Sequence, residues 1–504
     1  MRAARTPGLP LTCRRPIHMR DFVQFLVNGR EHQVRGRSVF KTLANYLRED
    51  AGATGTKVVC AEGDCGAGTV LVRRRGEFAP VNSCILSVAQ LDGTSIVTIE
   101  GIANGPSLHP VQQSMIDNHG SQCGYCTPGF VVAMADLAEG GPLDAQKVRA
   151  GLTGNLCRCT GYDSIIDAAL KSDCSSTPRL CDRYRKLEDD GQSVLIEDGG
   201  RVYFAPVSIA EAIRFKSERA RVTILNGGTD VGVWVNKHGF STSATLSLTK
   251  IRALDDLSVE ESAGQTQIVV GANVRLSAFQ SFIEHRIPEL HSILAIFGSP
   301  QIRNVGTLVG NIANASPIAD TLPYLFVAGA RIELAGTKGS RLVPIDSFYL
   351  GYKKLDLAQD EIVTRAFVPV VAASDVLKLY KVSRRTDLDI SAFTAAIRMR
   401  QIDGRIAGAT IAYGGVAPVV MRMPKVESFL KGKPVSIETF EAAGAIARQE
   451  VSPISDVRGS REYRLQLCEN ILSKFFFDAF TEAVPIDVPM DRRSSGRSSG
   501  GVTA

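Results

Sequence analysis

Seven cysteines in two constellations carry the chemistry open to this chain. In VVCAEGDCGAGTVLV, Cys60 and Cys65 satisfy the first interval of the plant-type iron-sulfur spacing C-x4-C-x2-C, and Cys84 in VNSCIL supplies the distant thiolate. Gly68 stands at the third ligand position. Thiolates gathered on two irons would make this an electron-transfer loop, and Gly63, Gly66 and Gly68 let backbone lie close to a cluster. The competing reading is a glycine-rich turn with incidental cysteines. The second set is complete: SQCGYCTPGF holds Cys123 and Cys126, and GNLCRCTGY holds Cys157 and Cys159, each pair at a helix end. Four thiolates also suit a structural zinc. C-x-C is an unusual zinc spacing, and the ferredoxin-like loop upstream favours iron-sulfur.

A different chemistry is offered by NGGTD (226–230), a tight turn of backbone amides after a strand, suited to a pyrophosphate though not the G-x-G-x-x-G fingerprint. GTLVGNIANASPIAD adds Thr307, Asn311, Asn314, Ser316 and Asp320 as donors and acceptors for a ribityl or ribose chain. Taken alone, each loop reads as a surface turn. Cys13, Cys174, Cys181 and Cys468 lack partners at ligand spacing and read as structural thiols. No H-x-x-x-H pattern occurs, His109 and His119 read as helix-edge residues, and no serine nucleophile elbow supports hydrolysis.

The elements that must position these residues follow from periodicity. RDFVQFLVNGREHQVRG (20–36) is a hairpin about Asn28 and Gly29, and SVFKTLANYLRED (38–50) places Phe40, Leu43 and Leu47 on one helical face. SIVTIEGI (95–102) reads as a further strand, completing a small grasp-like domain. From 109 to 172 the pattern is helical, in HPVQQSMIDNH, GFVVAMADLAE and SIIDAALKS. The polar stretch 173–194 reads as a linker. VTILNGGTDVGVWVN (222–236) is strand, turn and second apolar element. Beyond about 375, strands LKLYKVS, AAIRMRQI and IAGATIAYGGV precede helices at 437–449 and 461–480.

Length and charge bound the rest. A chain of 504 residues needs several cores. Eight of its 58 basic residues but one of its 52 acidic ones lie in the first twenty and last fourteen positions. The body is therefore near neutral and asks for no nucleic acid. Arg14 and Arg15 precede no apolar h-region, so the N-terminal stretch reads as a disordered arm, with Met19 a candidate start, and no segment spans a membrane. Nine of eleven cysteines cluster between 60 and 181, which favours metal in a reducing, cytoplasmic compartment.

TGTKVVCAEGDCGAGTV, LHPVQQSMIDNHGSQCGYCTPGF, GNLCRCTGY, NGGTDVGVWVN, ASPIAD and SDVRGSREYR (455–464), in this order, resemble the xanthine dehydrogenase family of molybdenum hydroxylases, specifically its small subunit. The resemblance covers about residues 20–482 and departs from the pattern at Gly68. It implies a multidomain α+β fold: a disordered arm (1–19), a β-grasp ferredoxin-like plant-type [2Fe-2S] domain (20–102), a helical-bundle [2Fe-2S] domain (103–173), a linker (174–194), an FAD-binding α/β domain of the vanillyl-alcohol-oxidase type (195–372), a C-terminal α+β flavoprotein domain (373–484) and a disordered tail (485–504).

The resemblance further implies a flavoprotein oxidoreductase of purine catabolism. A molybdopterin-binding large subunit hydroxylates the purine (hypoxanthine to xanthine to urate), and this chain passes the electrons through two [2Fe-2S] clusters to FAD and NAD+, in a dimer of heterodimers. Cys123, Cys126, Cys157 and Cys159 would hold the cluster nearest the pterin, with Gln122 as the pterin contact. Cys60, Cys65 and Cys84 would hold the plant-type one. Leu225, Asn226, Gly227, Gly228, Thr229, Asp230, Val231, Phe297, Thr307, Gly310, Asn311, Asn314, Asp320, Val363 and Lys381 would surround FAD. Tyr352 would face the approaching nicotinamide, and YKVSRRTDLDIS (380–391) would influence whether NAD+ or oxygen takes the electrons. Gly68 leaves three outcomes open: an oxygen ligand such as Asp64 or water, an absent cluster, or a sequence change in an otherwise normal enzyme. The alternatives to purine are an aldehyde or N-heterocycle substrate, or a redox-impaired binding subunit.

Overall fold

A computed structural model describes residues 19–481 apart from Ala263; the expected arm with Cys13, and the tail, lie outside the described residues. The first domain is a five-stranded sheet in the order Arg30–Val34, Val23–Val27, Thr94–Val97, Thr69–Arg73, Ala79–Asn82. Its hairpin turns at Asn28 (φ 48°) and Gly29 (φ 82°), the left-handed pair that a two-residue turn requires. Val23–Val27 and Thr94–Val97 run parallel, with helix Leu43–Glu49 packed on the sheet through Leu43, Tyr46 and Leu47, which completes the β-grasp. Two expectations need correction. The helix read over 38–50 starts at Leu43, because Thr42 Oγ1 accepts from Asn45 N and leaves 36–40 as a separate 3-10 turn. The strand read over 95–102 ends at Val97 and becomes a helical turn at Ile99–Ile102, because Asn28 Oδ1 accepts from Thr98 N and takes that amide out of the ladder.

Four helices follow, Pro110–Asp117, Thr127–Glu139, Ala145–Leu152 and Asp163–Lys171, around a core that includes Val111, Phe130, Val132, Val148 and Ile165. The polar stretch before the next domain is docked rather than trailing: Arg183 donates to the carbonyls of Gly101, Ile102 and Ala103, and Tyr184 Oη donates to Gly101 O.

The third domain has two sheets. Met19–Arg20, Ser193–Asp198, Arg201–Ala205, Ala244–Leu246 and Thr223–Ile224 form one, in which Met19 and Arg20 pair in parallel with Ser193 and Val194. The antiparallel second sheet runs Leu257–Ser262, Gln265–Gly271, Ile362–Pro369, Arg331–Gly336, Gly339–Pro344. Helix Leu308–Asn314 packs on the second sheet, and helix Leu322–Ala328 packs between that sheet and the sheet of the last domain. The last domain packs Val376–Val382, Phe393–Ile402, Arg405–Gly414 and Met421–Arg422 against helices Pro424–Leu430, Ile437–Glu450 and Arg461–Phe480. No described helix is long and apolar enough to cross a membrane.

Candidate electron-transfer and cofactor site

Folding brings the complete cysteine set together. Cys126 caps the N-terminus of helix Thr127–Glu139, and Cys157 and Cys159 sit in the loop before helix Asp163–Lys171. The sulfurs meet in pairs. Cys159 Sγ lies 3.6 Å from Cys123 Sγ, and Cys126 is hydrogen-bonded to Cys157. Burial and that neighbour push Cys126 up to about 12. Cys157 is held below its ordinary value against the opposing effect of burial, because Thr160 Oγ1 donates to its sulfur at 3.3 Å and backbone amides add to it. A pairwise arrangement suits two irons sharing bridging sulfides better than one tetrahedral ion. No three such side chains converge on a single-ion position among the described residues.

The plant-type loop also gathers its thiols. Cys60 is hydrogen-bonded to Cys65 and Cys84, which hold its thiol far below the usual range while their own values are driven up. Cys65 N points at Cys60 Sγ at 3.5 Å. Asn82 Nδ2 ties the loop at Gly63 O, 2.7 Å away. Gly68 places no side chain here.

The two loops touch. Leu156 N, beside Cys157, donates to Cys65 O at 3.0 Å, and Asn155 Nδ2 donates to Gly66 O at 3.2 Å. Gly66 has φ +69°, and a Cβ there would overlap Gly154 O, so only glycine lets the loops approach this closely. Gln301 of the third domain joins the same knot, donating to Asn155 Oδ1 at 2.8 Å. On the other side, Asn236 at the end of helix Thr229–His238 donates to Ala61 O at 2.9 Å and Cys84 O at 2.8 Å. Direct contacts therefore run from the complete cysteine set, through the plant-type loop, to the helix that follows the NGGTD turn.

That turn has the geometry of an anion cradle. Gly228 adopts φ 73° and precedes helix Thr229–His238, whose free amides face the turn. A Cβ at Gly227 would come within 2.5 Å of Val305 O, so the turn packs directly on the second glycine-rich segment, where Thr307 caps helix Leu308–Asn314. A cavity of about 320 Å³ abuts Asn226 and Thr307 and is lined also by Arg74, Arg75, Arg275 and Asn273. Asn273 Oδ1 is buried without a hydrogen-bond partner. Burial, with Arg74 and Arg75 nearby, pushes Arg275 down to about 10, and one acid, Asp255, pairs with Arg75. Clustered guanidiniums, an orphaned acceptor and glycine turns at helix N-termini fit a dinucleotide carrying a diphosphate.

Other residues singled out in the sequence distribute as follows. Asp320 and Lys381, from different domains, form a buried 2.7 Å ion pair, and Ser391 Oγ donates to the second Asp320 oxygen at 2.6 Å. Asp230, raised by burial, accepts from Asn314 Nδ2 at 3.0 Å, and Lys353 donates to Asn314 Oδ1 at 3.0 Å. Asn311 Oδ1 accepts from Thr321. Ser316 Oγ accepts from Ile318 N in a local turn. Leu225 and Val363 are core residues, Val231 packs at the edge of the first domain's core, and Phe297 is half-buried beside the third domain's core. Tyr352, 66% exposed, lies at the tip of the hairpin Tyr349–Gly351 and Lys354–Leu355, and Gln122 is exposed beside Cys123. His109 is a buried helix cap, accepting from Val111 N. Cys181 bonds Glu77, Cys174 is half-buried, and Cys468 is buried in the last domain. Sequence reasoning missed Gln90, whose Nε2 donates to Asn226 O and Gly227 O, as well as Gln301, Asn236 and the three arginines. Asn236 ends the NGGTDVGVWVN stretch and the others lie outside the motifs; each meets a partner distant in sequence, which no local signal could have found.

Comparison with known proteins follows the same division. Residues 98–170 match the family described as a [2Fe-2S] binding domain, 196–371 the FAD binding domain in molybdopterin dehydrogenase, and 378–479 the CO dehydrogenase flavoprotein C-terminal domain. The match at 98–170 favours iron-sulfur over zinc for the complete cysteine set. Xanthine dehydrogenase of Oryza sativa subsp. japonica is 30% identical over 89% of this chain and 39% of that protein, and xanthine dehydrogenase 1 of Arabidopsis thaliana is 31% identical over the same shares. The chain thus spans about two fifths of the length of the curated relatives it matches. Among solved structures, the carbon monoxide dehydrogenase from Hydrogenophaga pseudoflava aligns with TM-score 0.51 and 27% identity over 54% of this chain and 94% of that one. Quinoline 2-oxidoreductase from Pseudomonas putida 86 aligns with TM-score 0.50 and 28% identity over 55% and 95%.

Proposed function

The chain belongs to the molybdenum hydroxylase family as an FAD and [2Fe-2S] electron-transfer component, and from that premise we propose that it carries electrons from purine hydroxylation at a molybdopterin-binding partner to NAD+. The observation that carries this reading is the unbroken run of contacts from Cys157 through Cys65 and Cys84 to Asn236 and the NGGTD turn. Electron tunnelling needs such close approach, and here three domains are held together at one point. Cys123, Cys126, Cys157 and Cys159 would hold one cluster and Cys60, Cys65 and Cys84 three corners of a second. FAD, when bound, supplies the exchange between single electrons and a hydride.

The chain's own groups bind and orient. Asn226 to Thr229 and Thr307 to Gly310 would offer amides to the diphosphate, and Arg74, Arg75 and Arg275 would balance its charge. Asp320 and Lys381 lock the third and fourth domains against each other, and Lys381 also donates to Ile296 O, beside Phe297. Tyr352 and Gln122 are both exposed; in this reading Tyr352 would meet the incoming NAD+ and Gln122, beside Cys123, the pterin of the partner. A reducing, cytoplasmic location belongs to the proposal and is supported by the ten described cysteines being unpaired. The likeness to quinoline 2-oxidoreductase sustains a second reading, an N-heterocycle in place of a purine.

The test is the complex of this chain with its molybdenum component, mixed without air with xanthine, an aldehyde or quinoline while flavin absorbance and NADH formation are followed. Flavin bleaching by xanthine followed by NAD+ reduction supports the proposal. Bleaching by quinoline alone selects the second reading, and no bleaching by any substrate in a complex containing FAD and iron refutes electron transfer.

A further inference from the structure

A binuclear cluster takes four protein ligands, and the plant-type loop supplies three thiols, with Gly68 in the remaining position. A Cβ built at Gly68 lies 3.1 Å from Ser83 Oγ, 3.0 Å from Lys57 O and 3.8 Å from Cys84 N. The space into which a side chain from position 68 would grow is already taken by the hydroxyl of Ser83, on the same turn as Cys84. Ser83 is wholly buried, at 0% exposure. Its Oγ donates to Gly68 O at 2.6 Å, and its own backbone N–H donates to the same carbonyl at 3.1 Å. That carbonyl is doubly served, so the hydroxyl can leave it without orphaning a buried acceptor.

The other oxygens are weaker candidates. Lys57 O is a neutral carbonyl, a poorer partner for ferric iron than an alkoxide. Asp64 is half-buried and its charge is acted on by Arg385 and Asp389 of the last domain as well as by Cys60 and Glu62 of its own loop, whereas Ser83 Oγ alone stands where the position-68 side chain would grow.

We propose that Ser83 Oγ is the fourth ligand of the plant-type site, completing the set of Cys60, Cys65 and Cys84. This rests on reading the chain as a carrier with two clusters. Ligation breaks the Ser83 O–H bond and forms an iron–oxygen bond. The proton passes to solvent and no electron moves. The Gly68 carbonyl keeps the amide donor. Alkoxide is harder than thiolate and favours the oxidised irons, so this cluster has a lower reduction potential than its all-cysteine counterpart.

The experiment uses the full chain purified without air, as wild type, Ser83→Ala, Ser83→Cys and the double variant Gly68→Cys/Ser83→Ala. Iron, acid-labile sulfide and FAD per chain are measured, with EPR of dithionite-reduced samples during a redox titration. The wild type is expected to hold about four irons with two EPR signals, and Ser83→Ala about two irons while retaining FAD and the signal of the helical site. Ser83→Cys and the double variant should hold about four irons again, their second signal appearing at a higher potential than in the wild type. FAD and the helical-site signal report that each variant has folded. If Ser83→Ala loses both, Ser83→Cys decides: a raised potential supports the assignment and an unchanged one overturns it. About two irons in a wild type that holds FAD, or a Ser83→Ala protein with about four irons and unchanged EPR, overturns the assignment alone. A wild type with neither iron nor FAD overturns both it and the reading beneath it.

Discussion

Asp136 shows how a side chain outside any motif sets a pH dependence. It lies on helix Thr127–Glu139, where burial, Glu139 and Glu77 push its carboxyl up to about 7. In the unfolded chain an aspartate titrates near about 3.9. The folded form therefore binds this proton more tightly, so stability falls as the pH rises from about 4 to about 7, and the penalty is complete above that range. Asp136→Asn should stabilise the helical domain by on the order of 2 kcal/mol at about pH 8 and change nothing at about pH 3. Chemical denaturation at the two pH values, followed by helical circular dichroism, checks the difference.

Between elements, the approach of the two cysteine loops is a backbone matter. Leu156 N to Cys65 O is a main-chain bond, and it forms because Gly66 offers no Cβ to Gly154 O. Gly66→Ala should force the loops apart and strain a left-handed residue, costing about 2–4 kcal/mol. Both cysteine sets would keep their own residues, so iron content should survive while electron exchange between the sites slows. Freeze-quench EPR of a partly reduced sample measures that rate, and a rate equal to wild type would remove the contact from the transfer path.

On the scale of the molecule, one buried charge network joins the parts. Asp92 of the first domain meets Lys250 of the third at 2.5 Å and Arg20 at 2.8 Å, while Lys250 also reaches Asp189 at 3.1 Å. Burial opposes the Asp92 charge, but Lys250 and Arg20 outweigh it and hold the carboxyl below its ordinary value. Its stabilisation is thus present above about pH 4 and is lost as the pH falls through the depressed folded value. Lys250→Met leaves Asp92 buried with one cation fewer and should cost about 3–5 kcal/mol. The expected readout is faster proteolysis in the segment 184–192 with the individual domains still folded. Unchanged cleavage would mean that the apolar contacts alone hold the domains.

The grouping of the cysteines and the Asn28–Gly29 turn were legible in the residues themselves, because they depend on spacings of a few positions and on local backbone preference. The same locality misled at 98–102, where apolar residues fit a strand but Asn28, seventy positions away, takes the Thr98 amide and ends it. Ser83 beside Gly68, Gln90 beneath the glycine turn, Asn236 on the plant-type loop and the arginines around the cavity join residues from 15 to more than 200 positions apart. Hydrogen-bond reach and side-chain exclusion at those contacts are properties of the packed chain, so only the tertiary structure decided them.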